Sequence, residues 1–187
     1  MSLPVEKNLF LTGDVQVGKS TLLGRVVAAL GAAPRGFCTR PVEGGGLLRG
    51  FCMEALPGDG ATPWIARWTP EGGARPCLHT FEDYGVRCCR RALAAAPPLL
   101  VMDEIGFLEN DAPAFRASVL ACLDSPVPVL GVLSKKPQAL LPALIRARGD
   151  VRVFETTREN RDDLFLRVLE ATRSLLAASA GSREASA

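Results

Sequence analysis

Two small groups of residues carry the chemistry in this chain. Gly13, Gly18, Lys19 and Ser20 stand in the spacing G-x-x-x-x-G-K-[ST], with Thr21 directly behind them. Asp103 and Glu104 follow four apolar residues, Leu99 to Met102. Glycine at both ends of the first group lets the intervening backbone, Asp14, Val15, Gln16 and Val17, turn its N–H groups inward on an anion. A helix beginning at Lys19 adds its positive end at the same point, so phosphate is the expected ligand. On this reading Lys19 reaches the β- and γ-phosphates as a point charge, and Ser20 gives one oxygen to Mg²⁺. Thr21 faces the α-phosphate. A chance glycine-rich turn is the bland alternative, and the flanking sequence argues against it. Asn8 to Leu11 reads as a short buried strand, and Leu22, Leu23, Val26, Val27 and Leu30 repeat at helical spacing until Gly31.

The second group is weaker alone, since carboxylates also end strands as surface or capping residues. Behind a phosphate loop it gains meaning. An apolar run bounded by Asp103-Glu104 describes a strand buried on both faces that delivers two carboxylates to its C-terminal edge, where open parallel sheets bind ligands. Asp103 is then expected to hold Mg²⁺ through its water shell, and Glu104 to align a water on the γ-phosphate.

The elements that must position these groups follow from periodicity. Arg35 to Thr39 and Leu47 to Ala55, broken by Gly44-Gly45-Gly46, predict a β-hairpin inserted after the first helix. Leu56 to Pro76, rich in glycine and proline and carrying Trp64 and Trp68, predicts either a further short strand pair or an ordered loop over the site. Phe81 to Ala96 reads as a helix ended by Pro97-Pro98, and a second opens at Asp111-Ala112-Pro113, with Phe115, Val119, Cys122 and Leu123 on one face. Val127 to Leu133 is a strand ending in Ser134-Lys135-Lys136. Those lysines read first as a solvated turn, and as phosphate-side cations only if their strand lies beside the first. Gln138 to Arg148 reads as helix, Val151 to Phe154 as strand and Asn160 to Leu176 as helix, with Thr156 and Glu159 at capping-box spacing and a fraying tail over 177–187. The resulting class is α/β, mainly parallel, in one domain over 1–187, with 35–76 as the inserted region.

Composition excludes several classes. The 187 residues are 48 % hydrophobic and 22 % charged with net charge +2, ordinary for a soluble domain and too little charge to indicate nucleic acid. No apolar run approaches the roughly 18–20 residues that cross a bilayer, and Met1 to Lys7 leaves no room for a signal peptide. Cysteines 38, 52, 77, 88, 89 and 122 show no C-x-x-C spacing, and His79 is the single histidine. They read as reduced cytosolic thiols, with Cys88-Cys89 the one pair whose reactivity merits a check. A cytoplasmic location follows, with a monomer as default.

With both groups and their order in hand, the sequence resembles the small nucleoside-triphosphatase family of archaea and thermophilic bacteria, whose animal member is the cancer-related nucleoside-triphosphatase. The likeness runs through GDVQVGKST, GFCT with the later Gly50-Phe51, VMDEIGFLE, PVLGVL and VRVFETTRENRD. It implies a three-layer P-loop fold and slow, weakly base-selective hydrolysis of ATP, GTP and other triphosphates. It also implies Gly18, Lys19, Ser20 and Thr21 on phosphate and Mg²⁺, Asp103 on Mg²⁺, and Glu104 as base. One departure is that the basic residue the family carries two before the second Gly-Phe is Leu48 here, with Arg49 shifted by one. On a strand that shift turns the charge to the other face.

A small-molecule or nucleotide kinase uses the same loop and metal, and a nucleotide-binding switch the same loop alone. Glu104 argues against a pure switch, and no arginine-rich lid is evident for a kinase; Arg87, Arg90 and Arg91 read as a solvated helix face. Base contact is expected near Thr157, Asn160 and Arg161, because the turn after the last strand reaches the outer end of a phosphate groove.

Overall fold

The computed structural model describes residues 6–69 and 71–184. Among them one eight-stranded sheet runs in the order β5-β4-β3-β2-β6-β7-β1-β8. Its parallel half comprises β1 (Asn8–Thr12), β6 (Leu100–Ile105), β7 (Val129–Leu133), β8 (Val151–Glu155) and the first residues of β2 (Arg35–Gly44). Its antiparallel wing adds β3 (Leu47–Leu56), β4 (Trp64–Trp68) and β5 (Ala74–Pro76).

The hairpin expected after the first helix is present, and it is continuous with the core. Arg35 to Cys38 pair in parallel with Leu100 to Asp103 while Gly36 to Gly44 pair antiparallel with β3, so the start of β2 joins the two halves and its end belongs to the wing alone. Of the two alternatives for Leu56 to Pro76, the strand pair is the one formed: β4 pairs with both β3 and β5.

Period-2 alternation on these strands builds two cores. Leu9 and Leu11 face α1 (Lys19–Leu30) and α6 (Arg161–Glu184), packing with Leu22, Val26, Leu164 and Val168. Phe10 faces the other side, among Phe37, Phe115, Leu141 and Ile145. Those residues draw in α4 (Pro113–Asp124) and α5 (Leu140–Arg146). Helix, sheet and helix form three layers, as the periodicity requires.

The helix expected over 81–96 is composite. It opens with α2 (Leu78–Thr80), passes through a π-helical turn at Phe81–Gly85 and continues as α3 (Val86–Ala94). From that turn Glu82 Oε1 accepts the N–H groups of Ala114 and Phe115 at 2.9 and 3.2 Å, capping α4 from outside its own sequence. Pro142 sits in the first turn of α5, where a missing N–H costs nothing.

Two local readings need correction. The turn before α6 is closed not by Thr156 and Glu159 but by Thr157 and Asn160: the Thr157 N–H donates to Asn160 Oδ1 at 2.8 Å and the Asn160 N–H to Thr157 Oγ1 at 3.2 Å. Thr156 Oγ1 is buried without a partner. The helix also continues through Glu184 rather than fraying from Ala177, because the alanines there are the strongest helix formers. Residues 185–187 of the expected tail lie outside those described. No helix among the described residues is long and apolar enough to cross a membrane.

Candidate active site

The loop between β1 and α1 owes its shape to two backbone positions. Gly13 has φ +150°, and a Cβ there would stand 2.2 Å from the Thr156 carbonyl oxygen, so the β8–α6 turn can lie against the loop only because no side chain intervenes. Gly18 has φ +100° and caps α1 in the left-handed region, immediately ahead of Lys19.

Lys19 is buried and folds back over the loop, donating to the carbonyls of Gly13 at 3.1 Å and Asp14 at 2.8 Å. Its ammonium therefore lies on the concave side, where an entering phosphate would replace those weak acceptors. Ser20, one residue on, donates its hydroxyl to Asp103 Oδ1 at 2.8 Å, across 83 residues of sequence. Asp103 is itself only 2 % exposed. Burial pushes its carboxyl above the usual range, opposed by the Ser20 hydrogen bond and by the charges of Arg40 and Lys19. A buried carboxylate and a hydroxyl held together, with cations close by, form a hard-oxygen donor pair suited to a divalent cation such as Mg²⁺.

Glu104 does not share the burial of Asp103. Between the pairs Met102↔Gly131 and Ile105↔Leu133, β6 places two residues, Asp103 and Glu104, where β7 places only Val132. That irregularity interrupts the alternation at the two carboxylates. Glu104 lines a cavity of about 200 Å³ with Gly13, Lys19, Ser134, Lys135 and Lys136. The surrounding protein raises its carboxyl, with Asp103 adding and Lys19 and Lys136 opposing.

Because β7 pairs with β1, Ser134, Lys135 and Lys136 do reach the edge that carries the loop. Both lysines remain exposed, as a solvated turn requires, while lining the cavity: Lys135 bridges Asp14 at 3.4 Å and Glu155 at 2.7 Å, and Lys136 lies over the Phe107 ring at 4.1 Å.

A second groove, at the start of α1, is lined by Gly18, Thr21, Leu22, Arg25, Arg161 and Asp162. Arg161 thus joins the loop, with its guanidinium 3.6 Å from where a Gly18 Cβ would be. The Asn160 amide is spent on backbone partners, accepting from Thr157 and donating to Glu155 O at 2.9 Å, so it holds the turn rather than facing the groove. Leu48 and Arg49 diverge as the shift implied: Leu48 lines a cavity beyond Glu104, whereas exposed Arg49 donates to Gly44 O at 3.1 Å.

Sequence reasoning missed three charged residues here. Arg146 on α5 donates to Thr12 Oγ1 at 3.0 Å and Ser134 O at 2.8 Å, tying the ends of β1 and β7 together under the loop. Arg40 pairs with Glu54 at 3.3 Å and acts on Asp103 through its charge. Glu109 is 2 % exposed, accepts the Gly106 N–H at 2.6 Å, and is pushed by burial up to about 7. Only the Glu that ends a Gly-containing turn, three residues after Gly106, was available as a signal. The thiol check resolves simply: all six cysteines are free, and burial pushes Cys88 up to about 11.

A family model described as NTPase matches residues 8–169. The chain is 32 % identical to Nucleoside-triphosphatase THEP1 of Natranaerobius thermophilus over 85 % of its own length and 92 % of that protein. It is 32 % identical to the human Cancer-related nucleoside-triphosphatase over 90 % and 97 %. The crystal structure of THEP1 from Aquifex aeolicus superposes with TM-score 0.74 at 26 % identity, covering 88 % of this chain and 98 % of that one. The solution structure of the human protein gives 0.72 at 30 %, covering 90 % and 98 %. With the phosphate loop, the acidic strand and the sheet order all in their places, the chain belongs to the NTPase family.

Proposed function

We propose that this chain hydrolyses nucleoside triphosphates, ATP and GTP among them, to the diphosphate and phosphate, with Mg²⁺ as cofactor and weak selection of the base. The observation that carries the reading is the Ser20–Asp103 hydrogen bond at 2.8 Å, which joins the phosphate loop to the acidic strand at one point. Gly13 to Thr21 wrap the phosphates with N–H groups and the α1 N-terminus. Lys19 exchanges its loop carbonyls for the β- and γ-phosphate oxygens and neutralises charge that grows in the transition state. Ser20 and Asp103 are the residues that would hold Mg²⁺, which when bound screens the phosphate oxygens and draws charge toward the leaving diphosphate. Glu104, beside Lys19 on the same cavity, accepts a hydrogen bond from the attacking water and takes its proton. Arg161 borders the groove on the α-phosphate side and is the residue available to a nucleoside there. Asn160 acts only by fixing that turn. Six free thiols suit a reducing cytoplasm.

The test is phosphate release from ATP and GTP with Mg²⁺ and no added acceptor. Release that depends on Mg²⁺ and on Lys19 is expected. Bound triphosphate that is never cleaved would instead make this a nucleotide-binding switch.

A further inference from the structure

Beyond the phosphate cavity lies a second one of about 240 Å³, walled by Phe51, Ile65, Trp68, Phe81, Phe107 and Leu108. The two are not separate, because Val15, Glu104, Ser134 and Lys136 line both. An engineered apolar cavity of about 150 Å³ takes up benzene, so this space accepts a ring-sized group. It shares no lining residue with the groove at Thr21 and Arg161. A nucleoside entering that groove leaves the apolar chamber free.

The chamber's lining mixes apolar and charged groups. It includes the Glu104 carboxylate and the Lys136 ammonium, both on exposed residues, the latter 4.1 Å above the Phe107 ring. Its rim holds Val15 at 76 % exposure and Trp68 at 45 %, large apolar surfaces left in water. Exposed apolar surface gathered around a concave site with a few convergent polar groups marks a ligand pocket, and water as sole second substrate needs none of it.

Resting on the phosphate-site reading above, we propose that this chamber binds the apolar body of a small hydroxylated molecule whose hydroxyl reaches Glu104 and receives the γ-phosphoryl group in place of water. The acceptor oxygen forms a bond to the γ-phosphorus as the bond from that phosphorus to the bridging oxygen breaks. The acceptor proton passes to Glu104, and the electron pair leaves with the nucleoside diphosphate. The products are a diphosphate and a phosphomonoester, with no change of oxidation state.

The experiment supplies Mg-ATP with benzyl alcohol or 4-methylbenzyl alcohol, and measures ADP, free phosphate and ester by phosphorus NMR. A parallel titration with benzyl methyl ether, which binds but cannot react, follows amide shifts of Phe107 and Leu108 without nucleotide. The expected result is ADP in excess of free phosphate, the difference appearing as benzyl phosphate, with shifts confined to the chamber. Trp68→Ala and Leu108→Ala should each lower the ratio of ester to free phosphate. Equal ADP and phosphate with both alcohols, while hydrolysis without alcohol is intact, overturns the acceptor pocket alone. An ester ratio untouched by both variants overturns the chamber as its site. Formation of neither ADP, free phosphate nor ester under any condition removes the phosphate-site reading and this proposal with it.

Discussion

The parallel half of the sheet and its antiparallel wing meet along β2, and they specify their parts of the site in different ways. In the parallel half, β1, β6 and β7 are buried on both faces and end in residues whose type is fixed by chemistry: a lysine and a hydroxyl after β1, two carboxylates on β6. In the wing, Phe51, Ile65 and Trp68 are set by shape alone, and any apolar group of similar size would wall the chamber equally well. A site can therefore be exacting on one side of Glu104 and permissive on the other. Reaction type is written in the first region, and the choice of what reacts in the second.

The largest expected effect comes from the exacting side. Lys19→Ala should lower phosphate release by about 100-fold or more, since one preorganised charge is lost where charge develops. Triphosphate affinity should fall with it, and nucleoside affinity should not. Calorimetric titration with Mg-ATP and with adenosine alongside the rate assay checks both. Unchanged turnover in the folded variant would abolish the contrast between the halves.

Glu109, in the turn after β6, gives the next effect, on stability. Its folded value of about 7 lies above the ordinary 4.5. Between those values the folded state keeps a proton the unfolded chain has released, so this group's contribution to stability is full below about pH 4.5. It is lost as pH rises through 7, by roughly 3 kcal/mol in all. Denaturant titrations at a series of pH values should show that slope, and Glu109→Gln should flatten it while phosphate release stays near the wild-type rate. An identical slope in the variant would mean that Glu109 ionises in the folded protein at its ordinary value, near 4.5.

How much of this was legible in the sequence follows the same division. The phosphate loop and the acidic pair could be read directly, because bound phosphate and a hard cation leave few residue types to choose from. Apolar periodicity gave the three layers for the same reason of restricted choice. The wing's continuation of the sheet could not be read, since pairing of β4 with β3 depends on register across glycine- and proline-rich chain. Arg146 was hidden because its partners, Thr12 and Ser134, lie 134 and 12 residues away. Glu82 caps a helix 32 residues later, and Thr157 rather than its neighbour Thr156 closes the last turn, where one residue of offset decides which hydroxyl faces the backbone.

The smallest effect is expected at the far end of the groove. Arg161→Ala should alter the ratio of ATP to GTP turnover modestly, by less than about tenfold. Asn160→Ala should change the ratio only through loosening of the turn, with loss of thermal stability as its companion. Competition assays with the two triphosphates, paired with melting curves, separate these outcomes. An unchanged ratio in Arg161→Ala places base contact elsewhere.

The central claim is that Glu104 handles the proton of the attacking group while Asp103 and Ser20 hold the cation. Measuring Mg-ATP affinity and single-turnover phosphate release at saturating nucleotide in Glu104→Gln and Asp103→Asn tests it most directly. Glu104→Gln should bind Mg-ATP as the wild type does and release phosphate about 100-fold more slowly, because the amide keeps the shape and cannot take a proton. Asp103→Asn should lose Mg²⁺-dependent affinity as well as rate, since a neutral oxygen is a poorer partner for a hard cation. Glu104→Gln turning over at the wild-type rate would contradict the account.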